Sequence, residues 1–184
     1  AGADLPPGQW RLTGSGDRQG LRLEPLEAEL LGGVVRSVGR LIWAPAPAWV
    51  LDLEGKRLDP GVFYPEMAGS LGFEAKTRGA LADGAVEQAV LRIERLTGKL
   101  RERAVALTAD AELVGDRSSL KGLDLALGKN RLSAKGQLGD KAMDFSWKLS
   151  VPDPGALLPG AAGDLQGFTL ALDDFVEYED KWKP

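Results

Sequence analysis

A chain of 184 residues, 43% hydrophobic and 27% charged, has the length for one substantial domain and the balance of a soluble folded unit. Its formal charge of -4 is spread without a basic stripe, which gives no backing to a nucleic-acid partner. Cysteine and histidine are both absent, which excludes disulfides, thiol nucleophiles, the usual near-neutral acid–base group and the commonest metal ligand together.

The chain opens on AGADLPPG, with no signal-peptide pattern and no later run of about eighteen apolar residues, so any targeting element is expected outside this sequence. LTGSGDRQG is glycine-rich but lacks the lysine and following helix of a phosphate-binding loop; it reads as a turn joining Leu12 to Leu21. WVLDL then alternates, with Trp49, Leu51 and Leu53 on one side of a strand. In DPGVFYPEMAG one proline starts a short helical turn and a second limits it, and Phe63 and Tyr64 are expected to plug or cover an apolar edge.

The segment 81–96, LADGAVEQAVLRIERL, carries two patterns at once. Val86, Ala89, Val90 and Ile93 stand at helical spacing, whereas Ala89, Leu91 and Ile93 alternate as a strand does. The strand is preferred because LTGKL and the alternation of Val105, Leu107, Ala109, Ala111 and Leu113 continue in that style. LDLAL groups Leu123, Leu125 and Leu127. MDFSWKLSV is the clearest run, with Met143, Phe145, Trp147, Leu149 and Val151 opposite Asp144, Ser146, Lys148 and Ser150. ALADGA, LVGDRSS, LGKNR and LGDKA are the turn candidates between these runs.

Strands and turns also recur in order. LDLEGKRLDPGVFYPEMAGSL, from Leu51 to Leu71, aligns with FSWKLSVPDPGALLPGAAGDL, from Phe145 to Leu165. Asp59, Pro60 and Gly61 match Asp153, Pro154 and Gly155; Pro65, Gly69 and Leu71 match Pro159, Gly163 and Leu165; Phe63 and Tyr64 become Leu157 and Leu158. Upstream, Leu26, Gly39 and Leu41 match Leu123, Gly136 and Leu138 after a three-residue shift. One β segment over 1–184 is therefore expected, with tandem related units at approximately 21–80 and 118–172 stacked along one axis.

Chemistry is poorly supplied. Ser15, Ser37 and Ser133 have no histidine to activate them. Asp52, Glu54, Asp124, Asp144 and Asp164 fall between apolar strand positions and are expected to face water. Asp173, Asp174, Glu177, Glu179 and Asp180 could attract a divalent ion weakly, but they lack the glycine and spacing of a calcium loop. The expectation is a protein without catalytic residues, cofactor or dedicated metal. What remains is the apolar face, on which each large side chain contributes roughly 1.5 to 3 kcal/mol when fully withdrawn from water. Two packed sheets would use that face as a core; a curled open sheet would present it to hydrocarbon, at about 0.8 kcal/mol per buried CH₂. Periodicity alone leaves both open.

The second unit, LKGLDLALGKNRLSAKGQLGDKAMDFSWKLSVPDPGALLPGAAGDLQG, resembles the recurring unit of the TamB family, in the AsmA-like group. The resemblance rests on Gly128, Asn130 and Leu132, on Gly136, Leu138, Gly139 and Asp140, on Phe145 and Trp147, and on Pro154, Leu157, Leu158, Pro159, Gly163, Leu165 and Gly167. The first unit keeps Gly39, Leu41, Leu51, Leu53, Pro60, Pro65, Gly69 and Leu71, but has LGGVV in place of GKNRL and an inserted APAPA. The resemblance implies an all-β fold: an elongated, curved, antiparallel and repetitive sheet forming a U-shaped β-taco with an apolar inner groove. By phase, it makes Leu51, Leu53, Leu71, Phe73, Leu107, Leu125, Leu127, Phe145, Trp147 and Leu149 the hydrophobic groove.

The function it implies is non-enzymatic envelope biogenesis, shielding phospholipid acyl chains on their way between inner and outer membranes. The location it implies is the periplasmic part of a Gram-negative, inner-membrane-anchored protein. A TamA-like outer-membrane partner would be engaged through another region of the full-length chain. Two alternatives stand beside transport: chaperone-like binding of unfolded outer-membrane β-barrel or autotransporter strands at an open edge or groove, and a structural spacer.

Overall fold

A computed structural model describes residues 10–139, 142–153 and 165–168. Eleven strands follow one another: β1 (Trp10–Gly16), β2 (Gly20–Leu30), β3 (Gly33–Ile42), β4 (Ala48–Leu58), β5 (Gly69–Ala82), β6 (Ala85–Leu100), β7 (Arg103–Val114), β8 (Arg117–Leu127), β9 (Asn130–Gly139), β10 (Ala142–Val151) and β11 (Leu165–Phe168). Each pairs antiparallel with its chain neighbours in the order β1 to β11. The described sheet is thus a single meander that does not close on itself, and the fold is all-β.

Two-residue turns join most strands. Asp83–Gly84, Gly115–Asp116 and Gly128–Lys129 fall on the turn candidates of the sequence, while LGDKA centres on positions outside the described residues. Leu31–Gly32 and Arg101–Glu102 carry weaker signals, yet each pair has both φ values positive, at 52° and 68° and at 48° and 61°. Two successive positive φ angles give a hairpin turn whose twist matches that of the flanking strands. The segment that also fits a helix is β6 throughout.

The D-P-G segment behaves as its sequence suggests. Pro60–Val62 and Pro65–Met67 are 3-10 turns, and the Asp59 carboxylate accepts hydrogen bonds from the Gly61 and Gly69 amides, both at 2.8 Å. The expectation that Phe63 and Tyr64 plug an apolar edge is corrected: they are 56% and 63% exposed. The proline-started turns and the Asp59 tether set a loop path that leaves both rings in solvent, and Leu58, only 7% exposed, occupies the end of the apolar face instead. The counterpart residues Leu157 and Leu158, and Asp164 with the terminal acidic run, lie outside the described residues.

Register places alternating side chains in transverse rows. Leu51, Thr77, Leu91, Ala111, Leu120, Gly136 and Phe145 face one another across β4 to β10, and so do Leu53, Ala75, Ile93, Ala109, Leu123, Ala134 and Trp147, apart from β3, which each row also meets. A third row holds Phe73, Leu96, Leu107, Leu125, Leu132 and Leu149, and a fourth Leu58, Leu71, Gly98, Val105, Leu127 and Asn130. Matched repeat residues share a row: Leu51 with Phe145, Leu53 with Trp147, and Leu71 with the register position of Leu165 beside Val151. The reason is parity. The matched strands β4 and β10 are six apart, and an even number of antiparallel steps restores chain direction, so successive matched residues fall in successive rows in the same order.

The even-numbered strands β2, β4, β6 and β8 each carry an extra residue relative to a neighbour. The shifts fall at Glu24–Pro25, Lys56–Arg57, Glu94–Arg95 and Lys121–Gly122. Such bulges bend a strand and increase its twist. The described elements with extensive mutual contact are consecutive strands and the β4–β5 loop, so none of them lies across the apolar rows. Even so, every buried side chain named for the strands, including Leu23, Ala28, Ser37, Leu58, Ala75, Val105, Asn130 and Val151, belongs to that face. Among the described residues no second layer covers that face, and the open sheet curves toward it.

Candidate functional site

All ten sequence-predicted positions lie on this face. Phe73, Leu107, Leu125 and Leu149 share the third row; Leu51 and Phe145, Leu53 and Trp147, and Leu71 and Leu127 pair off in the others. All ten are half-buried. Leu91, Ile93, Leu96, Leu120 and Leu132 complete the rows and are not among the predicted groove residues. The third row crosses five strand spacings from β5 to β10, about 24 Å along the sheet at about 4.8 Å each.

Aromatic rings lie against cross-strand glycines. A Cβ placed on Gly55 would come within 2.3 Å of Phe73 Cε1, one on Gly79 within 2.4 Å of Trp49 Cη2, and one on Gly136 within 2.6 Å of Phe145 Cγ. The missing side chains let these rings pack down onto the backbone, which keeps the sheet surface low where large aromatics would otherwise stand up. Trp49 is held further by its indole Nε1, which donates to Thr77 Oγ1 at 3.0 Å.

Two polar side chains are buried among the apolar rows. Asn130, 4% exposed, acts as a clamp: its Nδ2 donates to the Asp153 carbonyl at 2.7 Å, and its Oδ1 accepts from the Asp153 amide at 3.0 Å. Arg103 Nε adds a 3.3 Å contact to Asp153 Oδ2. In the first unit the equivalent Asp59 amide donates instead to the Leu31 carbonyl at 2.8 Å. The GKNRL and LGGVV hairpins therefore anchor the same aspartate by different chemistry. Ser37 is 6% exposed and its hydroxyl has no protein partner.

The opposite face is polar and ladders its charges across strands. Arg36 meets Glu27 at 2.6 Å, Lys76 meets Glu94 at 2.7 Å, Arg92 meets Asp110 at 2.7 Å, Lys121 meets Glu112 at 2.5 Å, and Arg95 pairs with Glu74. Exposed pairs of this kind contribute about 0 to 1 kcal/mol each, so their larger effect is on register and solubility. The hydrogen bond that Lys76 donates to the Glu94 carboxylate, and then the Glu94 charge, raise the pKa of the Lys76 ammonium above the usual lysine value. A depression of about 620 Å³ is lined by Leu96, Leu107, Leu125 and Leu132 of the third row together with residues such as Thr108, Asp124, Arg131 and Lys148.

No cluster of three or more acidic metal-ligating side chains occurs among the described residues. No helix there is long and apolar enough to cross a membrane, which leaves strand-based spanning untouched. A family model described as TamB, N-terminal domain, matches residues 1–173. The chain belongs to the TamB family. No solved structure matches it. Membership makes this a TamB-like protein of envelope biogenesis, in a family not known for enzymes and known to work with outer-membrane partners.

Proposed function

We propose that the apolar face shields phospholipid acyl chains during transport between the inner and outer membranes, with headgroups left at the wet opening of the curved sheet. The observation that supports it is the continuity of the rows: hydrocarbon meets Phe73, Leu96, Leu107, Leu125, Leu132 and Leu149 in succession across six strands. Recognition of this kind depends on shape and apolar area, at about 0.8 kcal/mol per buried CH₂, and asks nothing of the headgroup. The units at 21–80 and 118–172 act as tandem lengths of one conduit. The setting is the periplasm, in a protein anchored in the inner membrane, with a TamA-like partner engaged elsewhere in the full-length chain. No chemical step or cofactor is involved.

The test is lipid carried through purification, quantified by mass spectrometry after organic extraction. Wild type retains phospholipid, and Leu125→Glu or Trp147→Glu loses most of it while keeping its β-sheet circular dichroism. Equal retention by wild type and both variants sinks the reading. The unpaired side of β1 in the described sheet favours a second function, pairing with unfolded outer-membrane strands. Crosslinking from β1 to an unfolded β-barrel, undiminished in lipid-free variants, would put this reading first.

A further inference from the structure

The connection between β4 and β5, Asp59 to Ala68, is longer than the two-residue turns on the same rim at Leu31–Gly32, Arg101–Glu102 and Gly128–Lys129. Within it Val62, Phe63, Tyr64 and Met67 are 59%, 56%, 63% and 37% exposed. Single exposed apolar side chains are ordinary, but four so close together form a patch that marks an interaction site.

The patch is held rigidly. Besides the two hydrogen bonds to Asp59, the Phe63 and Tyr64 amides donate to the Pro60 carbonyl at 3.1 and 2.9 Å, and the Met67 amide donates to the Tyr64 carbonyl at 2.7 Å. The Arg101 amide donates to the Ala68 carbonyl at 2.9 Å, tying the loop to the β6–β7 hairpin. An apolar tip already ordered in the free protein loses little conformational freedom when it binds.

Basic residues surround the base of the tip. Lys56 and Arg57 precede it on β4, while Lys99 and Arg101 end β6 and begin the tethered turn; the nearby acids are Glu66 and Glu102, with Glu54 engaged by Lys56 and the Asp59 carboxylate turned onto the Gly61 and Gly69 amides. At the same base, Leu58 and Leu71 stand opposite each other and start the fourth apolar row. The surface thus runs from exposed aromatic tip through a basic collar onto the apolar face.

We propose that this loop is a membrane-interface wedge for an anionic phospholipid bilayer. Phe63 and Tyr64 enter the boundary between headgroups and acyl chains, where aromatic side chains are favoured, and Arg57 and Lys99 meet the lipid phosphates. The wedge places a bilayer next to Leu58 and Leu71, so lipid leaving the membrane reaches hydrocarbon-compatible surface at once. Its purpose rests on the acyl-chain reading, but its membrane binding does not.

The experiment is cosedimentation of the whole chain with vesicles of phosphatidylglycerol and phosphatidylethanolamine, with purified-in lipid counted in the same preparations. Phe63→Asp combined with Tyr64→Asp raises the lipid needed for half-binding by roughly tenfold or more. Val50→Asp, at a residue 56% exposed on the polar face, leaves it unchanged. Absence of wild-type binding, unaltered binding of the double variant, or an equal loss in Val50→Asp overturns the wedge. Sedimentation showing that the double variant has only lost self-association would assign the patch to a second copy instead. Loop-dependent vesicle binding by protein that carries no purified-in lipid keeps the wedge and removes the conduit, so the two failures are distinguishable.

Discussion

Gly55→Ala probes how the apolar face is kept low. Gly55 is free of the positive φ that would demand glycine, and its nearest obstacles are all side-chain atoms: Phe73 Cε1 at 2.3 Å, Phe73 Cδ1 at 2.5 Å and Leu58 Cδ1 at 2.8 Å. Ordinary contact begins near 3.4 Å, so the Phe73 ring must withdraw by about 1 Å, away from the backbone and into the space over the sheet. Overpacking of this size costs about 1 to 3 kcal/mol, partly offset by the lower entropy of alanine in the unfolded chain. The expected net loss is about 1 to 2 kcal/mol, which lowers Tm by roughly 2 to 8 °C in a domain of this size. Phe73→Leu alone costs about 1 kcal/mol, because the ring is only half-buried, and it clears the space an alanine needs. The double variant is therefore more stable than the sum of the two losses by about 1 to 2 kcal/mol. Urea unfolding of the four proteins, followed by far-ultraviolet circular dichroism at unchanged m-value, measures that coupling. Additivity within about 0.5 kcal/mol refutes the ring-over-glycine packing.

Other perturbations test separate contacts. Asn130→Ala leaves the Asp153 amide and carbonyl without their partner and should cost about 2 to 3 kcal/mol in urea unfolding; no measurable change would mean water replaces the clamp. Asp59→Ala removes the acceptor shared by Gly61 and Gly69, so amide hydrogen exchange should accelerate at both positions and in the loop between them, while exchange in β8 and β9 stays unchanged. Raising the folded Lys76 value above its unfolded one makes the Glu94 pair favour folding at neutral pH, with that contribution intact below the ordinary lysine value and lost as pH rises through the raised one. The stability difference between wild type and Lys76→Met should accordingly shrink between about pH 9 and pH 12, and a difference that grows would reverse the assigned sign.

Strand character and facing were legible because a strand has period two. Leu51 and Leu53, or Phe145, Trp147 and Leu149, can share a side whatever their neighbours, so a list drawn from phase alone finds one face of the sheet. The ambiguity at 81–96 has a physical source. An extra residue in β6 near Glu87 separates Val86 from Ala89 by three positions, and another separates Ile93 from Leu96, so bulges reproduce the spacing of a helix. The same interruption, two successive non-leucine residues between apolar ones, stands at Leu23–Leu26 and Leu120–Leu123 and is a usable signal for the bends. Phe63 and Tyr64 misled because hydrophobicity predicts a preference for burial, while the proline turns and the Asp59 tether decide whether the chain can reach a surface.

From the sequence alone came the strands, their apolar side, the tandem relation of the two units and the family resemblance, all of which depend on local order and composition. Pairing each strand with its neighbour, bending the even-numbered strands, setting Asn130 against Asp153 and leaving the β4–β5 loop exposed belong to tertiary structure. Those features depend on which distant backbone groups meet, and alternation along a chain carries no information about that. A pattern of apolar and polar residues fixes which side of a strand avoids water; only the path of the sheet fixes whether another part of the protein, or something else, covers it.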